Sequence, residues 1–147
     1  MKNKKLIILI VVIIIALICV GIYFGIRAVK INKYTKADEY VVGSAKIASV
    51  NKVLGEKKIK KYSHTKTNIE TLELTFEDPN KEQSVKEYMD YIKDSGNYIE
   101  MNKDNSNIRQ LADPSEELVT VQTELTSDGF ILTIEVGPGS IKINNIE

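Results

Sequence analysis

From Leu6 to Ile26 the chain runs 21 residues without a charge, built from Leu, Ile, Val, Ala, Cys, Gly, Tyr and Phe. As a helix rising roughly 1.5 Å per residue, this stretch is about 30 Å long, the thickness of a bilayer's hydrocarbon core. Ile and Val are mediocre helix formers in water, because their branched side chains crowd the preceding turn. In lipid that preference is overridden, since only a helix satisfies every amide of a lone spanning segment. Each Leu, Ile, Val or Phe favours insertion by roughly 0.3 to 0.6 kcal/mol. A helix from a soluble core keeps a polar face, and this one has none. The stretch is expected to span a membrane.

Cleavage is not expected. Secretory signals have apolar cores of roughly 7–15 residues followed by a small-x-small site. Here the core is longer, and the nearest candidate, Ile26-Arg27-Ala28, places a bulky residue where a small one is needed. The reading is an uncleaved signal anchor. Cys19 follows Leu17-Ile18, which is no lipidation sequence, and it reads as a small apolar residue in lipid.

The formal net charge of zero conceals a sharp polarity. Lys2, Lys4, Lys5, Arg27, Lys30, Lys33 and Lys36 put the first 36 residues at +7, and 13 basic against 20 acidic residues put the rest at −7. Lys2, Lys4, Lys5, Arg27, Lys30 and Lys33 bracket the span and are candidates for contact with anionic lipid headgroups. The acidic remainder is not expected to seek nucleic acid. Positive charge on both flanks nearly balances the positive-inside count. The short tail decides it: residues 1–5 are expected in the cytoplasm and the large C-terminal part outside it.

Within the span, Gly21 and Gly25 stand one turn apart, the spacing that lets a second helix approach closely, and they are candidates for helix pairing. Residues 27–43 read as a juxtamembrane helix and linker. Arg27, Lys30 and Lys33 recur every third residue beside Ala28, Ile31 and Tyr34.

Residues 44–147 read as one α+β domain. Ser44 is expected to cap a short helix carrying Ile47, Val50 and Leu54 and ending at Gly55, with a strand as the alternative. A lysine-rich strand follows over 57–64, with His64 as an exposed polar residue on it. Residues 69–77 alternate, with Leu72, Leu74 and Phe76 on one face and Thr71, Glu73, Thr75 and Glu77 on the other. Glu73 or Glu77 could pair with the lysines across strands. Ser84-Val85-Lys86-Glu87 reads as a capping box, unless the helix starts earlier at Asn80. Val85, Tyr88, Met89 and Ile92 form its apolar face, and Gly96 ends it. Ile99 and Met101 begin a strand, and 104–117 reads as a long polar loop where a binding surface could sit. Two strands, 118–125 and 130–136, are joined by Thr126-Ser127-Asp128-Gly129. Val119, Val121 and Leu125 are expected to face inward with Phe130, Leu132, Ile134 and Val136. Ile141 and Ile143 suggest a short last strand. The fold class expected is a transmembrane helix followed by a two-layer domain, an antiparallel sheet with one main helix on one face.

Little in this domain points to chemistry. It has one histidine, no cysteine and no tryptophan, no nucleophile elbow and no phosphate-binding glycine loop. Asp104-Asn105-Ser106-Asn107 lacks the glycine and glutamate of a calcium loop. No catalytic, cofactor-binding or metal-binding residue is expected, and no cofactor. The Lys-, Ile- and Asn-rich composition resembles that of small envelope proteins of AT-rich bacteria. The functional expectation is a non-enzymatic binding or accessory module tethered at the cell envelope, meeting membrane lipids and another envelope protein. The alternatives are an anchored enzyme acting on envelope polymers through carboxylates, and a structural subunit that pairs through its span.

Overall fold

The computed structural model describes residues 2–101, 108–113 and 117–138. The chain divides into two compact units, Met1–Lys33 and Tyr34–Glu147.

The first unit is a single helix, α1, which runs Lys2–Thr35 and carries its last two residues into the second unit. None of its apolar window is buried in the protein. A bare row of Ile, Leu and Val on every side of a helix has no stable place in water. An exposed apolar helix of this length near the N-terminus suggests a membrane anchor or a signal sequence.

The second unit is α+β. Its elements are β1 (Glu39–Val42), β2 (Ala45–Ala48), α2 (Val50–Leu54), β3 (Lys58–Lys66), β4 (Glu70–Glu77), α3 (Lys81–Ser95), β5 (Ile99–Met101), β6 (Ile108–Asp113), β7 (Leu118–Leu125) and β8 (Gly129–Gly137). β3 to β8 form one antiparallel sheet in the order β3-β4-β8-β7-β6-β5. α3 is the long crossover. It carries the chain from β4 to the far edge, and three hairpin steps then return it until β8 closes against β4. Phe76 sits opposite Phe130, their rings stacked at 5.0 Å, and Leu74 opposite Leu132. With Leu72, Ile134, Val136, Val121 and Leu111 they make one buried face.

α3 lies across β6, β7 and β8 on this face, burying Val85, Tyr88, Met89 and Ile92. Its N-cap position is Asn80, and Ser84 is buried inside the first turns. The β1–β2 hairpin covers β4 and β8, inserting Tyr40, Val42 and Ile47. The expected two layers are present, the helical one completed by this hairpin.

The hairpin corrects the expected helix at Ser44. Gly43 has φ 55 and Ser44 a negative φ, the pattern of a two-residue II′ turn, so the chain reverses where a helix start was read. A Cβ on Gly43 would also sit 3.0 Å from Val136 Cγ1. The true cap is Ser49, whose Oγ accepts from Lys52 N at 3.0 Å, and α2 then ends at Gly55 as expected.

The 104–117 stretch is corrected as well, because 108–113 within it form β6. Of the expected ion pairs, Glu77 meets Lys58 at 3.0 Å, while Glu73 faces Ser63. Val119 and Val121 are buried as read, and Leu125 at the strand end is half-buried. The calcium-like stretch 104–107 and the strand suggested by Ile141 and Ile143 lie outside the described residues.

Candidate functional site

The residues singled out for the membrane lie on α1. An added Cβ at Gly21 or Gly25 meets nothing within 4 Å, so this side of the helix is open. Lys4, Lys5, Lys30 and Lys33 are exposed and Arg27 is half-buried; Lys2 begins the helix.

His64 differs from its expectation. A bulge between Ile59 and Lys61 shifts the alternation of β3 and turns Tyr62 and His64 toward the core face, opposite Leu74 and Leu72. The His64 side chain is only 18% exposed, and both ring nitrogens are engaged. Nε2 lies 2.7 Å from Glu70 Oε1, and Nδ1 lies 2.9 Å from Tyr34 Oη. The hydrogen bond from His64 lowers the Glu70 pKa. As a carboxylate Glu70 only accepts, so Nε2 carries a proton, and in the neutral ring Nδ1 accepts from the tyrosine. Burial, then Tyr62 and Glu70, raise the Tyr34 phenol. That is the reverse of an activated nucleophile. The arrangement fastens Tyr34 into the fold, as Asn51 Nδ2 fastens the neighbouring Thr35 carbonyl at 2.8 Å.

A different place has the shape of a binding site. Ser44, Ala45 and Lys46 of the β1–β2 hairpin, Tyr98 ahead of β5, Asp113 at the end of β6, Glu117 just ahead of β7 and Val119 within it line a cleft of about 410 Å³. That volume falls in the range of roughly 300–1,000 Å³ usual for small-molecule sites. Ser44 Oγ reaches across to Glu117 Oε2 at 2.5 Å, tying the hairpin turn to the sheet. The Tyr98 phenol is pushed up to about 12 by burial and then by the Asp113 carboxylate. It is therefore a neutral hydroxyl in an electronegative setting. Lys46 is exposed and has no hydrogen bond or ion pair among the described residues, although it shares the cleft with two carboxylates.

Of these seven residues, only Asp113 and Glu117 fall in a stretch expected to carry a binding surface. The sequence makes Ser44 a helix cap and Val119 an inward-facing strand residue, and Lys46 and Tyr98 carry no motif. The one available signal was the long polar stretch 104–117, which contains Asp113 and Glu117. The hairpin opposite them gave no such signal. Among the described residues, no group of three or more His, Cys, Asp or Glu is placed to hold a metal ion.

Comparison with protein-family models, with curated proteins and with solved structures returns no match.

Proposed function

We propose that the chain is a single-pass membrane protein, anchored by the uncleaved helix 6–26, whose folded unit is a non-enzymatic binding or accessory module outside the cytoplasm. The observation that carries this reading is the continuity of an unburied apolar helix with an α+β unit that has its own core. Lys2, Lys4, Lys5, Arg27, Lys30 and Lys33 would hold headgroups on either side of the span. The cleft between the hairpin and the β6–β7 end supplies a place for a ligand or a partner's side chain. A reporter fused after Glu147 that is active only outside the cytoplasm tests the orientation. Activity of a cytoplasm-only reporter at the same position would overturn it.

One observation favours a second reading. Asp113 and Glu117 line the same concavity, as two acids of an envelope-polymer hydrolase would. Against it, Glu117 is exposed and bonded to Ser44, whereas a general acid needs an apolar, secluded setting. Turnover of glycan or peptide polymers that disappears on Glu117→Gln would establish the enzyme and end the binding-module reading. Pairing through Gly21 and Gly25 is compatible with either. It requires that cross-linking in membranes weaken on Gly21→Ile.

A further inference from the structure

The cleft holds opposite charges apart. Asp113 and Glu117 stand at the β6–β7 end, Lys46 stands on the hairpin, and among the described residues no ion pair joins Lys46 to either carboxylate, although Ser44 two residues earlier reaches Glu117. Tyr98, Val119 and Ala45 line the same cleft and offer apolar contact to something short. We infer that the cleft binds a small zwitterion of the amino-acid or short-peptide class, its ammonium on the Asp113–Glu117 side and its carboxylate toward Lys46.

The chemistry sets the class. An ammonium has three donors and no acceptor, so it suits a wall that presents carboxylates and a tyrosine hydroxyl and ring. A carboxylate accepts only, and the exposed Lys46 ammonium is the cleft's cationic donor. A dipeptide spans roughly 7 Å at about 3.5 Å per residue, so its two charged ends are far enough apart to meet different side chains. A simple cation would leave Lys46 without a role and repelled by the ligand. A simple anion would face two carboxylates.

This inference rests on the binding-module reading, but its test does not involve the membrane. The full chain, purified in detergent micelles, is titrated calorimetrically with Ala-Ala, with N-acetyl-Ala-Ala and with Ala-Ala amide. Ala-Ala is expected to bind, and each blocked peptide to bind about tenfold or more weakly, the usual consequence of losing one charge-assisted hydrogen bond. Lys46→Met is expected to make Ala-Ala and its amide equivalent while N-acetylation still weakens binding. Glu117→Gln is expected to shrink the effect of N-acetylation. Because Lys46 is exposed, Lys46→Met leaves the fold intact and carries the test even if Glu117→Gln disturbs the Ser44 contact. Equal binding of all three peptides, no binding of Ala-Ala, or an unchanged preference in Lys46→Met would overturn the inference. None of those results would bear on the anchor, and a cytoplasmic folded unit would not alter the titration.

Discussion

Thr123 puts a fully buried hydroxyl into the core, opposite Leu132, and its Oγ1 has no hydrogen-bond partner among the described residues. A buried hydroxyl without a partner forfeits its hydration and gains nothing in return. Thr123→Val, which keeps the branched shape, is expected to raise stability by about 1 kcal/mol in urea denaturation. A loss of stability would mean that the hydroxyl is satisfied. The residue was legible by parity, since Thr123 falls between Val121 and Leu125 on the same alternation, yet its polar side chain hid it. His64 was hidden for a different reason. Counting alternate residues from Ile59 sends Tyr62 and His64 outward, and only the extra residue at the bulge turns them in. A bulge is a property of two strands together, so one strand's sequence does not announce it. The cleft is the extreme case: Ser44 and Lys46, Tyr98, and Asp113 with Glu117 come from three separate stretches, and no local pattern joins the three.

Where an element's pattern lay within itself, it could be read. β4, α3, β7 and β8 each carry a complete period of apolar residues and were found close to their observed bounds. β6 was missed because its buried Leu111 and Ala112 stand among polar residues with no alternating apolar run, and a charged residue shares the strand. Arg109, opposite Thr123, reaches Asp90 of α3 at 2.7 Å and Glu100 of β5 at 2.7 Å, and donates to the Lys86 carbonyl at 3.3 Å. Removing the guanidinium in Arg109→Met is expected to destabilise this edge by about 1–3 kcal/mol, with faster amide exchange in β5 and β6 than in β4. Uniform exchange across the sheet would contradict that. The bonds from Arg109 and then Lys93 lower the Glu100 carboxylate from 4.5 to about 2. A carboxylate lowered on folding contributes stability that is fully present above its unfolded value and is lost as pH falls through the folded one. Thermal stability should therefore fall between about pH 4.5 and 2, and less steeply in Glu100→Gln. Identical acid profiles for the two proteins would dissociate the network from that loss.

At the scale of the whole molecule, the long apolar N-terminal helix was the most legible feature, because its length and uniform composition can be read without any tertiary contact. The start of the folded unit was less so. Sequence reading placed it at Ser44, whereas the compact unit begins at Tyr34 and buries Tyr40 and Val42 of β1. A fragment starting at Tyr34 is expected to unfold cooperatively, and one starting at Ser44, stripped of those side chains, to lose most of its stability. Equal melting of the two fragments would show β1 to be dispensable. Everything proposed for the protein's place in the cell depends on the helix staying in the bilayer. The direct measurement is alkaline extraction of membranes from cells producing the full chain, with the amino-terminal peptide of the product read by mass spectrometry. The expected result is a chain retained in the membrane pellet with residues 6–26 attached; an extracted chain, or a mature terminus near Ala28, would contradict it.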